Sequence, residues 1–431
     1  MRSLPTLALT ASIGVVGLAL APAASAASPD DSVAYLAAEL EAGGDRLTGS
    51  GGGQTFDDLG LTIDAVLGMT AAGTGGDASA AAADYLVANV TAYTGAGDEI
   101  YASATGKMLT FTGARGLNPK DVNGVDLVAQ LQGLEQANGQ FTDQSEYGDF
   151  SNTLGQSFGL IGLKRAGVNP STESVESLLS QQCSDGGFVL DYPDEGEEGV
   201  ECVSDPDATS LAVQALDAVG GHDTEVQSAA TFLEDNQDGA GGVGGGTSTE
   251  ASNANSTGLA SVAFGLAGRD AARSKALGYL ESLTLGCETP QVAGGIAYDQ
   301  ASFDAMGADS ESDAITTRAT AQALIGVTGT SYAAVTNEGQ AAATPVIDCD
   351  SASTPTDPEP GTSEPTDEAE QTGDDGQSDD ASAPVRPGVV QTDGGSAAGS
   401  STPMLLGGAG LGVLAAGAIL VARRRLAEQR H

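Results

Sequence analysis

Five times along this chain an Asp or Asn is followed four residues later by a Thr, and the Thr seven residues later by an apolar residue. The pairs are Asp58/Thr62, Asp149/Thr153, Asp205/Thr209, Asn253/Thr257 and Asp313/Thr317, and Tyr101/Thr105 is a sixth, degraded copy. Residues four apart share one helix face, so each pair presents a carboxylate or amide beside a hydroxyl. Such a face can bind hydroxyl, amide or cationic groups of a ligand. The same residue types have a structural use: Asp and Asn cap helix N-termini, and a Thr one turn in bonds a backbone carbonyl. The two uses can coexist, and the sequence leaves both open. Metal chemistry has little support, because no C-x-x-C pair occurs and only His222 and His431 are present. No cofactor can be named.

The Thr-to-Thr steps are 43, 48, 56, 48 and 60 residues, a period that marks an array of supersecondary units. In one unit Val175 to Gln182 has helical spacing and Gly186-Gly187-Phe188 breaks it. Asp205-Pro206 then opens a second helix, which runs to Gly220-Gly221. First-helix segments recur at Val33–Leu40, Ala80–Val90, Leu127–Gln136, Gln227–Asn236 and Lys275–Leu283. Second helices are rich in Ala, Gly, Ser and Thr and end at Gly73, Gly167, Gly268 and Gly329. Small faces suit an inner ring of closely packed helices. The expected fold is all-α, an α6/α6 toroid of six helical hairpins, because neither end unit is polar enough to cap an open solenoid. The repeated pairs would then meet at one mouth. Gln214 and Gln322, each five residues after its Thr, are expected to bond between neighbouring helices or line the channel.

The ends set the expected organisation. Residues 1–26 read as a signal peptide, with Arg2, an apolar core from Leu7 to Leu20 and Ala24-Ser25-Ala26. Residues 27–350 form the toroid, and 351–403 are a Pro/Ser/Thr/acid-rich stalk without enough apolar residues to fold. Residues 404–422 are an apolar run long enough for a bilayer, and 423–431 are a basic cytoplasmic tail. The layout is that of a single-pass surface protein with its large domain outside. Val389 to Gly394 is not a Leu-Pro-x-Thr-Gly sorting motif, so membrane anchoring is favoured over wall attachment. A formal charge of −43 with only 16 Lys and Arg argues against nucleic acid as a partner. Cys183, Cys202, Cys287 and Cys349 imply disulfides in an exported chain. Their connectivity is not fixed by sequence, and the local choice is Cys183–Cys202 with Cys287–Cys349.

Gln182-Cys183-Ser184-Asp185-Gly186-Gly187-Phe188, followed by Asp205, Thr209 and an Ala-rich helix, resembles the prenyltransferase/squalene-cyclase repeat. The resemblance implies the α/α toroid of terpene cyclases, protein prenyltransferase β-subunits, complement-type thioester domains and cobalamin carriers. A cyclase needs an Asp-x-Asp-Asp acid motif and a cation-stabilising aromatic cage. Asp205-Pro206-Asp207 and Asp57-Asp58 fall short of that motif, and the chain has no Trp. A prenyltransferase needs an Asp/Cys/His zinc site and basic residues for diphosphate. A thioester domain needs Gly-Cys-Gly-Glu-Gln, from which Gly286-Cys287-Glu288-Thr289 departs. Cobalamin carriers fit by elimination, although nothing after Asp350 can form their closing β-domain. The expected function is therefore a membrane-anchored extracellular module that captures a small molecule or surface polymer at the toroid mouth. The alternatives are an enzyme with degenerate motifs and a structural or adhesive surface domain.

Overall fold

The computed structural model describes residues 28–51, 54–192, 201–246 and 249–349. The expected signal peptide, stalk, membrane helix and basic tail lie outside the described residues. Among the described residues no helix is long and apolar enough to cross a membrane.

The described chain is mostly helical. Six helices form an inner set: α2 (Leu59–Ala72), α5 (Ala102–Ala114), α7 (Thr153–Arg165), α9 (Pro206–Val219), α11 (Ala254–Leu266) and α14 (Ala314–Thr328). Each packs on the next, and α14 packs back on α2, so the ring closes. Outside them lie α1 (Pro29–Gly43), α3 (Gly76–Ala88), α6 (Leu127–Gly133), α8 (Thr172–Leu179), α10 (Asp223–Asp235) and α12 (Asp270–Ser282). Two short helices, α4 (Val90–Thr94) and α13 (Gln300–Ala305), sit in connections. An outer helix returns the chain between successive inner ones. The inner helices therefore share one direction, and their N-termini gather at one end.

Glycine sets how closely the inner helices approach. A Cβ on Gly106 would fall 2.7 Å from the Gly159 nitrogen, and one on Gly258 would fall 2.9 Å from Ala323 Cα. Nearly every residue of these helices is buried, with no solvent face, as expected for the inner wall of a two-layer ring. Apolar residues of the outer helices, including Leu36, Leu86, Leu131, Leu178, Leu233 and Leu280, fill the space between the layers.

The Gly-rich stops close the outer layer. Gly139, Gly186, Gly241 and Gly294 all have positive φ, and each abuts the backbone of the next outer helix, where a Cβ has no room. Gly294, in the last unit, abuts Asp31 of α1, and the Ser32 hydroxyl donates to the Gly294 carbonyl at 2.8 Å. The chain thus returns to its first hairpin. After each of two stops, a residue pairs in antiparallel fashion with the cap of the following inner helix: Phe188 with Asp205, and Val243 with Asn253.

Both expected disulfides are present. Cys183–Cys202 has a Cα separation of 5.7 Å and Cys287–Cys349 one of 5.2 Å.

Candidate functional site

Asp58, Asp205, Asn253 and Asp313 are N-caps of their inner helices. Their side-chain oxygens accept from the amides of Leu61, Ala208, Ser256 and Thr316 at 2.9, 2.8, 2.9 and 2.7 Å. The matching Thr hydroxyls mostly bond inward. Thr62, Thr105 and Thr209 each donate to the carbonyl four residues back at 2.7 Å. Three also accept from the preceding stop: Leu47 to Thr62 at 2.9 Å, Phe188 to Thr209 at 2.8 Å and Val243 to Thr257 at 2.9 Å. These hydroxyls are fully buried. They tie each loop to its inner helix.

Three repeats depart from the expected register. In the third unit the cap is Asn152, which accepts from Gly155 at 3.0 Å, and not Asp149. Asp149 is exposed and holds the amides of Asp143 and Ser151 in the preceding loop. Thr153 is only the first helical residue, and the bridging role passes to Gln156, which accepts from the Phe141 amide at 2.9 Å. In the sixth unit α14 starts one turn early. Thr320 bonds the Thr316 carbonyl at 2.7 Å and accepts from the Ile296 amide at 2.8 Å, while Thr317 turns outward to Tyr35 and Glu39. In the second unit Tyr101 gives no side-chain cap. Asp143 does so instead, accepting from Ala102 at 2.7 Å, and burial holds its carboxyl above the usual range despite that bond and one from Phe150. The six pairs therefore do not make an even rim: Asp205 and Asn253 are buried, and Asp149 and Asp313 are exposed.

Aligning the units on the bridging residues (Thr62, Thr105, Gln156, Thr209, Thr257, Thr320) exposes a different set two positions on. These are Asp64, Lys107, Phe158, Leu211, Leu259 and Gln322, and they meet on the ring axis. Five of them line one cavity with Asn255 and Tyr332, and the sixth, Lys107, is bonded to Asp64. One side is a polar crescent. Lys107 Nζ lies 2.7 Å from Asp64 Oδ1, Gln322 Nε2 lies 3.5 Å from Asp64 Oδ2, and Asn255 Nδ2 donates to Gln322 Oε1 at 2.6 Å. The other side is an apolar wall of Phe158, Leu211 and Leu259. Lys107 also stands over the Phe158 ring, 5.6 Å from its centroid. Lys107 and Asp64 are 1% and 4% exposed. Burial pushes the Asp64 carboxyl above the usual range, against the pull of Lys107. Tyr93, wholly buried and held well above its ordinary value by burial and by Asp64 and Asp58, has no hydrogen-bond partner for its hydroxyl among the described residues. The chamber has about 10 Å³ of free volume, room for one water.

Gln322 thus both bridges helices and lines the axis. Gln214 is not its counterpart. It sits a turn deeper, where its Oε1 accepts from the Tyr332 amide at 3.0 Å. That bond belongs to a floor built by the residues after α14. Arg165 donates to the carbonyls of Tyr332, at 2.9 Å, and of Ala333 and Val335. The Tyr332 ring meets Phe158 edge-on at 5.2 Å. Farther along, Gln340 bonds the Met69 and Thr74 carbonyls and Arg115. The C-terminal end of the ring is therefore closed by the chain itself. At the N-terminal end, Arg318 pairs with Asp58 at 2.6 Å, both partly exposed. Among the described residues no group of three or more His, Cys, Asp or Glu could hold a metal ion.

Sequence reasoning passed over Asp64, Lys107 and Asn255. The signal was available: Asp64 and Lys107 each stand two residues after a repeated Thr, as opposite charges in helices otherwise made of small and apolar residues.

No family model matches the chain, and no curated protein matches it. Solved structures similar to it include a protein from Actinoplanes, at 18% identity over 69% of this chain and 97% of that one, with a TM-score of 0.48. Another is a type II terpene cyclase from Scytonema, at 14% identity over 69% and 96%, with a TM-score of 0.48. A third is an unsaturated glucuronyl hydrolase from Bacillus sp. GL1, at 12% over 68% and 94%, with a TM-score of 0.46. The ring rests on the helix packing described above, and no activity is carried over from these proteins.

Proposed function

We propose that the ring is the extracellular, non-catalytic binding domain of a membrane-anchored protein, and that it takes its ligand at the N-terminal mouth. The observation that carries this reading is the asymmetry of the axis. One end is floored by Tyr332 and its Arg165 and Gln214 anchors. The polar axial groups, Asp64, Lys107, Asn255, Gln322 and the Arg318–Asp58 pair, all lie toward the other end. Asp58 and Arg318 are a partly exposed charged pair there and make the first contacts. The two disulfides fit an oxidising, exported setting.

The cyclase-like alternative meets a physical objection. Asp64 faces Phe158 and Tyr332, as an acid beside aromatics should, but Lys107 neutralises it and occupies the Phe158 face. A developing carbocation there would meet a buried ammonium.

The test is a thermal-shift screen of the purified protein against corrinoids, glycans, isoprenoids and Ca²⁺. A saturable rise in Tm with at least one of them, weakened by Arg318→Ala, is expected. Silence across the four classes would leave the mouth reading without support and favour the structural one.

A further inference from the structure

We propose that the axial chamber is an internal anchoring site for one small uncharged hydrogen-bonding group, a hydroxyl, at the tip of the ligand that enters the mouth. The inference rests on the mouth reading for the route by which that group arrives. The nature of the site follows from the chamber alone.

Three features of the chamber select this chemistry. The first is size. About 10 Å³ of free volume holds one water or the one or two atoms of a small polar tip, and no ring or branched group. The second is charge. Lys107 and Asp64 are opposite, in contact and almost fully buried, so their charges cancel. An incoming ammonium or carboxylate would add an uncompensated charge inside a shell of Phe158, Leu211, Leu259 and Tyr332, where its desolvation has nothing to offset it. An uncharged group brings no such penalty. The third is polarity with direction. Four adjacent inner helices supply, in order, an ammonium, a carboxylate and two amides, and the facing helices supply only carbon. A polar tip is thereby turned toward the crescent, and the carbon that bears it lies along the apolar wall. Asn255 stands one turn nearer the mouth than Gln322 and carries the crescent upward, toward the entrance.

Crystals of the full-length chain, soaked in turn with methanol and its charged isostere methylammonium, read the site directly. The expected result is the methanol hydroxyl in the chamber within hydrogen-bond distance of Gln322 or Asn255, a single water there in unsoaked crystals, and no methylammonium. Gln322→Met should raise the methanol concentration for half-occupancy roughly fivefold to tenfold, the loss of one neutral hydrogen bond. Circular dichroism of that variant checks that the ring is intact, and Asn255→Leu serves if it is not. A dry chamber, equal occupancy by methylammonium, or unchanged methanol binding in both variants overturns the proposal. Methanol in the chamber of a protein that binds nothing in the thermal-shift screen would leave the internal site standing and the mouth reading without support.

Discussion

Replacing Lys107 by Met tests the physical heart of the ring. Lys107 and Asp64 are 2.7 Å apart, 1% and 4% exposed, and join α5 to α2. Removing the ammonium leaves a buried carboxylate with one long amide contact, from Gln322 at 3.5 Å. Breaking a buried pair in this way costs about 3–5 kcal/mol. For a domain of this size that is a fall in Tm of roughly 5–8 °C. Asp64→Leu should cost a similar amount, because it strands the ammonium. The double variant Asp64→Leu/Lys107→Met restores electrical neutrality with side chains of comparable length. It should lie within about 1–2 kcal/mol of the wild type, or above it. The cycle of four proteins, followed by thermal and urea unfolding, isolates the coupling. If Lys107→Met costs less than about 1 kcal/mol, or the double variant is as unstable as the sum of the singles, the pair is not a buried, mutually compensating one. The axial chamber would then be hydrated well beyond a single water.

Gln156→Leu should destabilise by about 1–3 kcal/mol or more, because it strands the buried Phe141 amide and two carbonyls, whereas Thr153→Val should be nearly neutral; urea unfolding compares them. Loss of Cys287–Cys349, which closes 62 residues, should cost about 4 kcal/mol, and loss of Cys183–Cys202, which closes 19, about 3 kcal/mol, read as Tm differences between Cys→Ser pairs and the wild type. Burial works to raise the Asp238 carboxyl, but the Ser252 hydroxyl and the amides of Gly242, Ala240 and Gly241 outweigh it and hold it below its ordinary value. Its contribution is therefore present above the usual carboxylate range and lost as pH falls through its lowered folded value, so Asp238→Asn should be most destabilising near neutrality and converge on the wild type in acid.

Much of the ring was legible where a local rule has one physical cause. Asp205-Pro206 signals a helix start because a carboxylate caps and Pro pre-sets the first turn, and α9 begins there. The Gly stops were legible because a left-handed turn that abuts the next outer helix admits little else. Legibility failed where a spacing had two solutions. Asp149/Thr153 satisfies the same interval as Asn152/Gln156, and only the packed loop shows that a Gln amide, three residues on, does the work of the Thr hydroxyl. The cap of α5 comes from Asp143, 41 residues after the amide it holds, which no local pattern reveals. The floor was missed for a similar reason. Residues 330–340 have little apolar periodicity and are held by Arg165, Arg115 and Gln214, whose partners are backbone and amide groups far along the chain. The raw Thr spacing conceals the axial set, since the third and sixth units are displaced by three residues.

Hydrogen exchange with the best hit of the thermal-shift screen tests the central claim most directly. The account predicts slower exchange in the first turns of α2, α9, α11 and α14, with no change in residues 330–340. Protection confined to the floor, or to the outer helices, would contradict a ligand that enters at the N-terminal mouth.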